Sequence, residues 1–163
     1  MILQLFKKTK ELDFERTYGA PIATVWDAWT KPEMLRQWWG PPKTLVPECR
    51  LELSVGGEIH IVTEAGEAMG KYQGTRWPMS GTFTAVEAPS RLTYDARSWT
   101  EGEEEGSMIH HTNDIALTES DGATTVKLHV TITQIGPKAK LAAFGMKWGY
   151  KAQLDKLEAL LSA

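Results

Sequence analysis

The chain has 163 residues, of which 42% are apolar and 24% charged; these values suit one globular domain over residues 1–163 and exclude a largely disordered chain. Its net charge of −3 gives no bulk attraction to nucleic acid or to an anionic membrane, so neither partner is expected. One cysteine, Cys49, excludes an internal disulfide framework and a cysteine-built zinc site.

Residues 1–8 (MILQLFKK) start apolar, but charges follow at once, with no apolar core or cleavage site of a signal sequence. No stretch approaches the roughly 18 consecutive apolar residues of a membrane helix. A cytoplasmic protein in a reducing compartment, without membrane insertion, is expected. Residues 12–18 (LDFERTY) alternate apolar and polar, which predicts a half-buried strand. Pro21 suits the first turn of a helix, and Ile22, Val25, Trp26 and Trp29 follow at helical spacing. Lys31-Pro32 interrupts that helix, and residues 33–38 predict a second short one. The chain must leave the helix at Trp38-Trp39-Gly40-Pro41-Pro42, because proline disfavours helical backbone in the residue before it.

Six strands are predicted next, over residues 48–53, 58–63, 81–86, 91–97, 108–117 and 124–133. Gly56-Gly57, Gly66, Gly74, Ala88-Pro89, Gly102 with Gly106, and Asp121-Gly122 separate them. The last is a hairpin signal, flanked by apolar alternation on both sides. Pro137 opens a helix expected to run to about residue 161. Its apolar residues fall into two stripes. Met146, Tyr150, Leu154, Leu157 and Leu161 are expected to face the sheet; Leu141, Phe144, Trp148 and Ala152 need separate cover from a pocket, a loop or another subunit. The economical packing is α+β: one curved antiparallel sheet of six or seven strands wraps the long C-terminal helix. Such a grip leaves a gap between sheet and helix where a ligand fits.

Arg16-x-Tyr18-x-Ala20-Pro21, then Val25-Trp26-x-Ala28-Trp29-Thr30-x-Pro32-Glu33-x-Leu35, then Trp38-Trp39-Gly40-Pro41 resemble the opening signature of one family. Gly56-Gly57, Gly81-Thr82-Phe83, Glu87-x-Pro89-x-Arg91-Leu92, Asp121-Gly122-x-Thr124, Gly145-Met146, Gly149 and Leu154-Asp155-x-Leu157 continue it over roughly residues 12–161. The family is named after the C-terminal domain of the activator of the heat-shock-protein-ninety ATPase. The resemblance implies the helix-grip fold of the START-like (SRPBCC) superfamily, shared with birch-pollen allergens, lipid-transfer START domains and polyketide cyclases. It also implies binding of small apolar molecules. The eukaryotic activator has a further N-terminal domain, whereas about a dozen residues precede the first strand here, which counts against a chaperone partner. Two features depart from the family's pattern. Tyr150 stands where a tryptophan is usual, an exchange that keeps a ring and is expected to change little; His110, His111, Asn113 and Asp114 make one strand more polar.

His110-His111, with His60 and His129 in other strands, raises the question of a metal. Adjacent strand residues point to opposite faces, and no His-x-His or His-x-x-x-His spacing occurs, so no metal is expected. No cofactor is expected either. There is no Gly-x-Ser-x-Gly and no Cys–His spacing, and no catalytic residue is assigned. The acidic run 101–105 reads as a solvated hairpin tip. If Ile115 and Leu117 face the helix, alternation puts His111 and Asn113 on the same inward side, as a polar pair near the sheet's end or as groups that orient a ligand. Seven tryptophans fit a core, a pocket or an interface. The first expectation is a protein that binds a small apolar ligand, with Ile59, Ile61, Phe83, Tyr94, His111, Asn113, Phe144 and Trp148 in the wall. Two rivals stay open. One is an enzyme of the cyclase or aromatase type using His111 as acid or base. The other is an interaction module that pairs with itself, as a homodimer through Leu141 and Trp148, or with a chaperone.

Overall fold

The computed structural model describes residues 10–162; segment 1–8, read above for a signal sequence, lies outside them. The order is β1 (Lys10–Tyr18), α1 (Ile22–Thr30), α2 (Pro32–Leu35), β2 (Thr44–Leu51), β3 (Glu58–Ala65), a 3₁₀ segment (Glu67–Tyr72), β4 (Arg76–Glu87) and β5 (Arg91–Ser98). A short irregular turn α3 (Glu104–Ser107), β6 (Ile109–Ser120), β7 (Ala123–Ile135) and the long helix α4 (Lys140–Leu161) follow. All pairings are antiparallel, in one seven-stranded sheet of order β1-β7-β6-β5-β4-β3-β2. The six successive strands form the expected meander, and β1 joins its far edge beside β7. This is the helix-grip arrangement: a curved sheet around a C-terminal helix.

Several boundaries differ from the sequence reading, each for a local reason. The second helix is only Pro32–Leu35, with turns taking the chain to Trp38. β2 begins at Thr44 and carries Pro47 across a register shift between Leu45 and Glu48; as an edge strand it tolerates a proline that cannot donate to a ladder. β4 begins at Arg76, five residues before Gly81, because Pro78 does not end it. Pro78 pairs with Val62, and its carbonyl accepts the Trp99 N–H at 3.1 Å. The last helix starts at Lys140 rather than Pro137. At Asp121-Gly122 both φ angles are positive, 53° and 77°, the left-handed pair that a two-residue hairpin requires.

Strand periodicity sets the core. In β6, Ile109, His111, Asn113, Ile115 and Leu117 are buried; in β7, Thr124, Val126, Leu128, Val130 and Ile132 are. Alternation thus places His111 and Asn113 inward. Leu154 and Leu157 of α4 close on this face, with Met146, Tyr150 and Leu161 half-buried beside them. The Tyr18 hydroxyl donates to the Leu154 carbonyl at 3.2 Å, and Arg16 pairs with Asp155, so β1 holds the second half of α4. In the second stripe, the described residues leave Leu141, Phe144 and Trp148 83%, 78% and 65% exposed.

The helix pair packs its tryptophans together. Trp29 and Trp38 lie 4.7 Å apart at their ring centroids, Trp38 and Trp39 5.8 Å, and Trp38 Nε1 donates to the Ala28 carbonyl at 2.9 Å. This cluster fixes the turn at Trp39–Gly40, where Gly40 has φ +84° and the chain heads back to the sheet.

Candidate functional site

A cavity of about 620 Å³ lies between the inner face of the sheet and the first two-thirds of α4. Thr63, Trp77, Met79, Ser98, Ile109 and His111 supply its sheet side. Ala142, Met146, Gly149, Tyr150 and Gln153 supply its helix side at helical spacing, and the turn from Trp39 to Lys43 forms a rim. The volume falls within the range of small-molecule pockets.

A chain of polar side chains runs behind and along this wall. Asn113 Nδ2 donates to the Tyr150 hydroxyl at 2.9 Å, which leaves its Oδ1 to accept from His111 Nδ1 at 2.6 Å. His111 therefore carries its proton on Nδ1, and its Nε2 accepts from the Ser98 hydroxyl at 3.0 Å. Burial lowers the pKa of His111, against the opposing pull of the Asn113 hydrogen bond, so the ring is neutral at pH 7 as that pattern requires. Burial also pushes the Tyr150 phenol up to about 12, while Asn113 pulls it down. Tyr94, deeper in the core, is held well above the ordinary phenol range by the same desolvation. Tyr150, expected from the sequence to change little, supplies through its hydroxyl the acceptor that fixes Asn113. It is thereby joined to the polar strand positions in one network.

Gln153 is 6% exposed, within the stripe of α4 that faces the cavity. Its Oε1 accepts the Gly40 backbone N–H at 2.8 Å. Lys156, one turn further on, donates to the Trp39 and Gly40 carbonyls at 3.2 and 3.1 Å, and burial lowers its pKa. These contacts pin the rim turn to α4. Among the described residues, Gln153 Nε2 has no hydrogen-bond partner.

Of the residues expected in the wall, His111 and Trp148 line the cavity. Ile59, Ile61, Phe83 and Tyr94 are buried in the core away from the lining, Asn113 sits behind His111, and Phe144 lies exposed on α4. Ser98, Gln153, Trp77, Met79 and Met69 line the cavity without having been singled out. Two of them left a readable signal. Ser98 continues the inward alternation of Tyr94 and Ala96, and Gln153 is a polar residue inside an apolar helical stripe. Trp77 and Met79 precede Gly81, where the sequence reading begins this strand. Serine 98 also gives His111 a hydroxyl partner that no linear motif announced.

The family described as "Activator of Hsp90 ATPase homolog 1-like protein" matches residues 19–162. Among solved structures, a protein of Nitrosomonas europaea is 25% identical, covering 93% of this chain and 94% of its own, with a TM-score of 0.72. A protein of Mycobacterium smegmatis is 21% identical over 96% of both chains, with a TM-score of 0.74. The AHSA1 protein of Silicibacter pomeroyi is 23% identical over 94% of this chain and 98% of its own, with a TM-score of 0.70. At those identities the latter two show the fold. No curated protein matches the sequence. With nearly its whole length matched, the chain belongs to the family of Activator of Hsp90 ATPase homolog 1-like proteins.

Proposed function

We propose that the protein binds a small apolar or amphipathic molecule in the cavity between sheet and α4. The observation that carries this reading is a cavity of about 620 Å³ walled by Trp77, Met79, Ile109 and Met146, with a few placed polar groups among them. Apolar walls supply the driving force of binding, and methionines adapt to an irregular ligand. Ser98, His111 and Gln153 supply orientation. Native mass spectrometry of protein purified gently from its own cells, compared with the denatured chain, tests this. A reproducible extra mass released on denaturation is expected. A bare native mass, together with no heat of binding for apolar probes, would overturn the reading.

A second reading rests on the Ser98–His111–Asn113 connectivity, which is that of a hydroxyl, a base and an orienting group in acyl transfer. It ranks below the first because burial lowers the pKa of His111 and weakens it as a base near neutral pH. Stoichiometric release of nitrophenolate from a p-nitrophenyl ester, abolished by Ser98→Ala, would favour it; the absence of any such burst removes it.

A further inference from the structure

Gln153 has two ends with different fates. Its Oε1 is taken by the Gly40 N–H at 2.8 Å, and rotating the amide by half a turn would set its NH₂ against that N–H, donor against donor. The orientation is therefore fixed, and Nε2 is the end left over. That nitrogen belongs to a side chain 94% removed from solvent, on the stripe of α4 that lines the cavity, and it has no partner among the described residues. A buried amide donor without an acceptor costs free energy comparable to a lost hydrogen bond. One helical turn back, Tyr150 adds a second donor: its oxygen already accepts from Asn113, and its hydroxyl hydrogen has no acceptor among the described residues.

The charge around the site decides what kind of acceptor fits. Lys43, on the exposed rim, is the one basic side chain among the lining residues, apart from the neutral His111. A carboxylate carried inside would be desolvated without a paired cation, at a cost that neutral donors do not repay. A carbonyl oxygen needs only the donors present. We propose that Gln153 Nε2 is the anchor of the cavity, and that it selects neutral apolar molecules bearing a carbonyl oxygen, such as aryl ketones, over hydrocarbons and carboxylates of the same shape.

This inference rests on the cavity-binding reading, and the experiment separates the two. Three probes share one ring system: 6-propionyl-2-(dimethylamino)naphthalene, its isostere with C=CH₂ in place of C=O, and 6-(dimethylamino)-2-naphthoate. Isothermal titration with the intact chain is expected to show the ketone binding about tenfold or more tighter than the alkene, and tighter than the naphthoate. The infrared stretch of the bound ¹³C-labelled carbonyl should lie at lower frequency than in an apolar solvent. Gln153→Glu, measured at a pH where its carboxyl is ionised, keeps an acceptor for the Gly40 N–H but removes the donor. It should abolish the preference for ketone over alkene and raise the carbonyl frequency. Alkene and ketone binding equally to the wild-type chain, or naphthoate binding tightest, would overturn the anchor and leave the cavity reading standing. No binding by any of the three would overturn both. The wild-type comparison needs no variant, so a Gln153→Glu chain that fails to fold leaves the test decisive.

Discussion

His111 and His129 sit on neighbouring strands, and their surroundings push them in opposite directions. His129 is half-exposed on β7, with Nδ1 2.6 Å from Asp13 and Nε2 3.5 Å from Glu11; the Asp13 hydrogen bond raises its pKa above the ordinary 6.5. His111 is lowered from 6.5 by burial. The signs follow from linkage. For His111, the unfolded chain takes up a proton as pH falls through about 6.5 and the folded chain does not, so acidification costs stability. For His129, the folded chain holds its proton longer, so its contribution is complete below about 6.5 and is lost as pH rises through its elevated value. Ring-proton NMR titration should show His129 titrating above 6.5 and His111 below it. His129→Gln should lower stability at about pH 5.5 and leave it unchanged at about pH 8.5. Equal midpoints for the two rings would contradict the burial argument. Tyr150→Phe belongs to the same scale. It keeps the ring, which lies 5.5 Å from that of Phe14, but strips Asn113 Nδ2 of its acceptor. A loss of about 1–3 kcal/mol in urea unfolding is expected, against nearly none if Tyr150 acts only as a ring.

At the scale of elements, α4 is two helices in one. Its second half is core: Leu154 and Leu157 are 1% and 0% exposed, and Tyr18 and Arg16 hold it from β1. Its first half lies over the cavity with Leu141 and Phe144 facing solvent. Leu157→Ala should therefore cost about 2–5 kcal/mol through the cavity it leaves. Leu141→Ser and Phe144→Ser should change stability by about 0.5 kcal/mol or less. Chemical denaturation of the three variants checks both statements; a large loss at Phe144 would show that the exposed stripe is covered in solution, and light scattering would then reveal a dimer. The helix also shows where sequence reading stops. Periodicity identified the buried stripe and the strand alternation that turns His111 and Asn113 inward, because facing is a local property of backbone geometry. It assigned Ile59, Ile61, Phe83 and Tyr94 to the cavity wall because an inward residue under packed neighbours and one beside empty space carry the same pattern. Depth depends on how far the helix stands off the sheet, which no single element encodes. Gln153 was legible in principle, as a polar residue at i+3 from Tyr150 in an apolar stripe, but its importance comes from Gly40, a contact 113 residues away in sequence.

At the scale of the whole molecule, the rim couples the cavity to the edge of the sheet. β2 begins immediately after Lys43, whose carbonyl accepts the Gly66 N–H at 2.9 Å, and the turn before it is tied to α4 through Gln153 and Lys156. Any opening that strips β2 from β3 must pull on residues that line the cavity. Cys49 reports such an opening. It is buried on β2, paired with Ile61, and burial pushes its thiol up to about 11, with the Arg36 charge opposing. At about pH 7.5 the thiolate fraction is then below about one in a thousand, so alkylation of the native chain should be negligible on the time in which the guanidinium-unfolded chain reacts fully. What labelling does occur passes through open states, whose population a ligand specific for the closed state reduces by the factor 1 + [L]/Kd. The naphthyl ketone at about one hundred times its Kd should therefore slow Cys49 alkylation about a hundredfold, although Cys49 is not among the lining residues. An unchanged rate with the cavity demonstrably filled would mean that β2 opens alone, leaving the rim in place. The tethers from Gln153 and Lys156 would then be holding the turn against α4 independently of the strand that follows it.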